Sequence, residues 1–116
     1  RKTHEMKRLS RTSDALQLMT EMYYKSTVNH MRIFMYVASH NDEVIETRDL
    51  PAALKMTQAT LNRSMRSMAD RSYLRDEGLG LLRVTVSPYD ERQRIVELTS
   101  KGKELAQKMV EIIYGN

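Results

Sequence analysis

On one side of the segment 57–71 the side chains are amides and guanidinium groups, and on the other they are apolar. At 100° per residue around a helix, Leu61, Met65 and Met68 fall together. Ala59, Asn62, Arg63, Arg66 and Asp70 fall opposite them. An amide sets a donor beside an acceptor, and a guanidinium sets two donors in parallel. Such groups can read the edge of a planar partner or hold an anion. The same pattern also suits a helix face that meets only water. The surrounding elements decide between the two.

No catalytic apparatus accompanies these groups. The chain has no Cys, which removes disulfides, a zinc ribbon and a thiolate nucleophile. His4, His30 and His40 are scattered, and none has the spacing of a metal site. There is no Gly-rich phosphate loop and no Ser in a G-x-S-x-G context. Asp42, Glu43 and Glu46 cluster at a helix–helix connection, where they read as a cap and a solvated loop. The expectation is a non-enzyme that needs neither cofactor nor metal. No apolar run reaches the ~18 residues of a membrane span. The N-terminal residues lack the apolar stretch of a secretory signal. A cytoplasmic protein with no membrane partner is expected.

The 116 residues allow one domain, and the net charge is +4. That charge is unevenly spread. Arg1, Lys2, Lys7, Arg8 and Arg11 crowd the first eleven residues, which are too polar to bury much and are expected as a flexible basic arm. Lys55, Arg63, Arg66, Arg71 and Arg75 form a second basic group, whereas Asp42, Glu43, Glu46 and Asp49 face only Arg48. Segregation of this kind fits a surface with one phosphate-facing side.

Four Gly and two Pro leave little room for long loops, so most of the chain should be helical. Ala15, Leu16, Met19, Met22 and Tyr23 predict a helix over about 12–25, and Met31, Phe34, Met35 and Ala38 a second over 28–39. A short third helix is expected at about 48–54, capped by Thr47 or Asp49, with Pro51 in its first turn. Lys55-Met56 makes a tight turn, and Thr57 caps the helix at 58–71. Leu82, Val84 and Val86 then alternate with polar residues, as do the residues from Arg92 to Leu98, so a hairpin is expected over about 81–98. Thr99 caps a last helix to about Ile113. Nine Met are read mainly as gap-fillers on the core stripes. This order describes a mainly α fold with a small β-hairpin, a winged helix-turn-helix. Residues 12–116 would form it as a single domain.

At the hairpin the sequence resembles the MarR family of transcription regulators. Asp90-x-Arg92-x5-Leu98-Thr99-x2-Gly102 is similar to the family's wing signature and the start of its fifth helix, with the spacing kept throughout. Met31 through His40 is similar to its second helix, and Thr47 to Leu74 follows its helix-turn-helix without a gap. The likeness covers roughly residues 15–113 and is specific over 31–102. It departs at Pro51, where the family has a small residue, and at Lys55, where it has Gly. The first shortens or bends the support helix, and the second asks a non-Gly residue to make the turn. Asp76 to Leu82 lengthens the approach to the hairpin, and the family's sixth helix is expected to be either missing or removed.

The resemblance implies a sequence-specific regulator of the repressor kind that binds double-stranded DNA. A homodimer on a palindromic site is implied, with helices 12–25 and 99–113 forming the dimer interface. A small-molecule effector is possible but not indicated. In a major groove, Gln58, Thr60, Asn62 and Arg63 can present donors and acceptors, the amides pairing with adenine and Arg63 with guanine, and Ala59 can touch a thymine methyl. Thr57 stands at the helix start, and Arg66, one turn on, suits a phosphate. The family likeness makes Arg92 the minor-groove residue of the wing, with Arg94 beside it. Asp90 would orient Arg92 through a charge-assisted hydrogen bond. Arg83 and Arg94 can also be simple cross-strand partners of hairpin acids, and the arm 1–11 an untethered tail. The alternative is a winged helix used for protein interaction, or a plasmid or phage replication or partition accessory. A protein-binding version should expose apolar residues on the outward face of 58–71, where this chain has Asn and Arg.

Overall fold

A computed structural model describes residues 2–70 and 78–115. Helix α1 runs Lys2–Met22, α2 Val28–Ser39, α3 Leu50–Leu54, α4 Gln58–Met68 and α5 Ser100–Tyr114. Strands β1 (Ile45–Glu46), β2 (Leu82–Val86) and β3 (Arg94–Leu98) form one antiparallel sheet in the order β1-β3-β2. The expected fold is the observed one.

α2 is the central helix, and its start is fixed twice. The Thr27 hydroxyl accepts from the His30 backbone N–H at 3.3 Å, and His30 Nδ1 accepts from the Thr27 N–H at 2.9 Å. This reciprocal cap needs a neutral ring, and burial pushes the His30 pKa down in the same direction. Ile33, Phe34 and Val37 then enter the core beside Leu61, Met65 and Met68 of α4 and Val96 and Leu98 of β3. Each such side chain contributes about 1.5–3 kcal/mol by leaving water. Most Met residues do fill the core or pack against it, while Met6 and Met22 stay exposed.

The helix-turn-helix is made without the expected glycine. Lys55 takes up the left-handed conformation itself, at φ 55° and ψ 53°. Its N–H reaches the Ala52 carbonyl at 3.3 Å, and the Met56 N–H reaches Pro51 O at 2.9 Å, which closes α3 with a Schellman turn. Arg32 of α2 donates to the Leu54 carbonyl at 2.6 Å, satisfying another orphan acceptor at that helix end. Pro51 lies in the first turn of a helix only five residues long, preceded by a 3-10 turn at Thr47–Asp49. Neither Thr47 nor Asp49 caps it through its side chain. The Thr47 hydroxyl donates instead to Arg94 O at 3.4 Å, across to the hairpin.

Three further expectations are corrected. The residues expected as a flexible arm, 1–11, are helical from Lys2 onward. No Gly or Pro interrupts them, and two of their basic side chains meet the C-terminal end of α5: Arg11 donates to the O of Gly115, the residue that caps it, at 3.1 Å, and the Arg8 guanidinium lies 5.0 Å from the Tyr114 ring centre. α1 in turn stops at Met22 rather than 25. The helix expected over 58–71 ends at Met68, because Ala69 turns extended and bridges to Leu82. Asp70 therefore leaves the helix face and pairs with Arg83 at 3.4 Å. Arg71 and Arg75, and the start of the Asp76–Leu82 stretch, lie outside the described residues.

Residues 78–82 join three elements through their backbone. Leu79 and Leu81 N–H groups bond Ser67 O and Met68 O at 2.8 Å each, and the Asp70 N–H bonds Leu82 O at 2.8 Å. On the other side, Leu81 O accepts the Thr99 N–H at 3.0 Å, and the Thr99 hydroxyl donates to Gly80 O at 2.5 Å while accepting from the Gly102 N–H at 3.0 Å. The first turn of α5 packs so closely on this strand that a Cβ at position 102 would overlap the Leu81 carbonyl oxygen. A backbone oxygen held by its own hydrogen bond cannot swing aside. Gly102→Ala should therefore lower the unfolding free energy by about 2 kcal/mol or more in a urea titration. A change within about 0.5 kcal/mol would mean that the contact is not tight.

Candidate nucleic-acid interface

The outward face of α4 starts at its cap. Thr57 is the N-cap, with its hydroxyl accepting from the Thr60 N–H at 3.1 Å and donating to the Thr60 hydroxyl at 3.0 Å. Gln58 Nε2 donates to Asn62 Oδ1 at 2.9 Å, one turn apart, and an Arg63 terminal nitrogen lies 3.5 Å from Thr60 Oγ1. Gln58, Ala59, Asn62, Arg63 and Arg66 are exposed, and Thr60 is half-buried. The amides and the guanidinium are thus held along one ridge by weak, exposed hydrogen bonds. Such bonds can be exchanged for an external partner at little cost. The buried side carries Leu61, Met65 and Met68 as expected, together with Ser64, which sequence reasoning had not placed there.

The hairpin tip holds the second group. The Ser87 N–H bonds Gln93 O at 2.9 Å and the Gln93 N–H bonds Asp90 O at 2.9 Å, so the loop closes on itself. Asp90 Oδ1 accepts from the Arg92 backbone N–H at 3.0 Å and from its Nε at 3.2 Å, and Oδ2 accepts from a terminal nitrogen at 3.3 Å. This fork leaves the Arg92 side chain 85% exposed and aimed by its partner. Arg94 folds back, with one nitrogen 3.4 Å from the carbonyls of Glu91 and Gln93. Arg83 stands across the ladder from Glu97, as a cross-strand partner would.

The sequence-derived residues therefore form two exposed groups, Thr57 to Arg66 on α4 and Asp90 to Arg94 on the hairpin. The 78–82 junction holds their elements in one frame. One neighbour was missed. Arg48 is exposed, bonds Glu46 at 2.9 Å, and brings its charge to bear on Asp90. The signal was present as the lone base in an acidic run, but only the pairing of β1 with β3 brings it beside the hairpin. Among the described residues no His, Cys, Asp and Glu group is placed to hold a metal ion, and no helix is long and apolar enough to cross a membrane.

No protein-family model and no curated protein matches the sequence. Solved structures do match its shape. The S. aureus MepR–DNA complex superposes with a TM-score of 0.65 at 22% identity, covering 95% of this chain and 77% of that one. A MarR mutant from E. coli complexed with operator DNA gives 0.63 at 14% identity, over 95% and 68%. The adhesin competence repressor AdcR of Streptococcus pyogenes gives 0.56 at 22% identity, over 91% and 70%. The chain has the MarR winged-helix fold. In the terms of that fold, α4 is the second helix of the helix-turn-helix and β2–β3 the wing hairpin.

The wing carries a titration signature. The Arg92 side chain, then its backbone N–H, and the more distant charge of Arg48 hold the Asp90 carboxyl below its ordinary value of 3.8. The interaction is complete above that ordinary value and is lost as the pH falls through the depressed one. A carbon-13 NMR titration of the Asp90 carboxyl should show a midpoint below 3.8, moving up toward it in Arg92→Ala. A midpoint at or above 3.8 in the parent would contradict the pairing.

Proposed function

We propose that this protein is a sequence-specific regulator of transcription that binds double-stranded DNA, with α4 in a major groove and the wing in the adjacent minor groove. The observation that carries this reading is the outward face of α4. A helix stabilised only by its packing would have no use for a ridge of Gln58, Thr60, Asn62 and Arg63 in mutual register above an inner face that is apolar but for Ser64. Two neighbours of the same fold were solved with DNA, one of them with operator DNA. Catalysis has no support in the described residues, and a cytoplasmic location fits a DNA ligand.

Each residue then has a task. Gln58, Asn62 and Arg63 read base edges, Ala59 and Thr60 fit against them, and Thr57 holds the helix start. Arg66 meets a phosphate, and Arg92, aimed by Asp90, enters the minor groove, where narrow A·T-rich sequence concentrates negative potential. Arg94 and Arg48 supply charge at the edge. Binding to the protein's own upstream DNA, titrated with salt, tests the reading. Arg63→Ala should cost ~1–3 kcal/mol at the preferred site and relax preference at one base pair. Arg66→Ala should weaken all duplexes about equally and flatten the salt slope by about 1. If both variants bind every duplex as the parent does, α4 does not enter the groove.

The unit that binds is a two-fold dimer. Met6 and Leu9 on α1 and Val110 and Tyr114 on α5 are exposed apolar residues on helices that pack on each other. A second copy covering them would match a palindromic site. Sedimentation at micromolar concentration should give a dimer, and monomer alone would refute this part of the proposal.

A further inference from the structure

The most exposed aromatic ring in the wing is Tyr89, and the loop that carries it is rigidly built. Tyr89 is 80% exposed, although its backbone N–H is fixed to the buried Ser87 hydroxyl at 3.1 Å. Pro88 precedes it, and the hydrogen bonds Ser87–Gln93 and Gln93–Asp90 close the turn around it. The ring does nothing for folding where it stands. Val86, at 50% exposure, continues the apolar strip toward the body of the domain. On the same turn Arg92 projects into solvent, pinned by Asp90. The wing therefore ends in one cation and one aromatic ring, both held out by a closed loop.

The floor and walls of a minor groove offer chemistry for both. The guanidinium meets the negative potential along the floor, and the apolar edges of the deoxyriboses form the walls. A tyrosine ring can lie along such a wall while its hydroxyl donates to a phosphate oxygen on the rim. We propose that Tyr89 is a second DNA-contacting residue of the wing, packing its ring on the deoxyribose backbone beside the groove that Arg92 enters. This rests on the DNA-binding reading above. Because every nucleotide has the same sugar, Tyr89 sets how firmly the wing seats and not which bases are preferred.

The sequence has no Trp, so a single Tyr89→Trp variant carries one reporter at the wing tip. On titration with an A·T-rich duplex bearing the preferred site, its emission should shift and become shielded from iodide. Tyr89→Ala should lose about fivefold or more in affinity, equally for preferred and unrelated duplexes, while Tyr89→Phe keeps most of it. The melting temperature of Tyr89→Ala should match the parent's, since the ring is exposed. If the parent binds DNA but Tyr89→Ala binds within twofold of it, or Tyr89→Trp stays as open to iodide as in the free protein, the inference fails and the DNA reading stands. If Tyr89→Ala instead weakens only the preferred duplex, the residue reads bases and the proposed sugar contact is wrong. A parent that binds no duplex would overturn both.

Discussion

Everything outside the core depends on a few residues of backbone between α4 and β2. Residues 78–82 donate backbone hydrogen bonds to the carbonyls at the end of α4 on one side and accept them from the Thr99 cap of α5 on the other. Those bonds fix where the wing leaves the domain relative to the helix that precedes it. Glycine at 102 is required because α5 must come within touching distance of Leu81 for Thr99 to close its cap. β1 ties the other end: Ile45 and Glu46 pair with Val96 and Ile95, so the start of the helix-turn-helix is stitched to the wing strand. The site is split between two elements, and the frame between them is made of backbone.

That division suits the proposed partner, a long, stiff, charged duplex. Burial concentrates in α2, the inner face of α4 and the inner edge of the sheet. The polar groups assigned to binding are nearly all exposed and held by weak bonds. None needs to be desolvated for folding, so changing them should alter binding more than stability. The fork between Asp90 and Arg92 is the clearest case, because it fixes direction without burying either charge.

Much of this was legible in the sequence, and the reasons are specific. The inner stripe of α4 follows from the spacing of Leu61, Met65 and Met68, and the caps from Thr57 and Thr99, since one side chain suffices for each. Asp90 and Arg92 were legible only through the resemblance of the wing signature, and the fork between them forms because they lie two residues apart in a turn. What could not be read were effects of distant partners. Residues 2–11 look disordered until α5 gives Arg8 and Arg11 something to bind. The end of α4 at Met68 is set by the bridge of Ala69 to Leu82, distant in sequence, and not by any Gly or Pro at 69–71. β1 is two residues long and has no periodicity to detect. Arg48 beside the wing is a consequence of that unseen strand.

The central claim is that α4 and the wing occupy adjacent grooves of one duplex. Paired chemical footprinting on a bound site measures this most directly. Dimethyl sulfate reports guanine N7 in the major groove, and hydroxyl radical reports deoxyribose along the minor groove. The account predicts guanine protection within each half-site, flanked about half a helical turn away by hydroxyl-radical protection that disappears in Arg92→Ala. Guanine reactivity unchanged under saturating protein, or radical protection that survives Arg92→Ala intact, would contradict it.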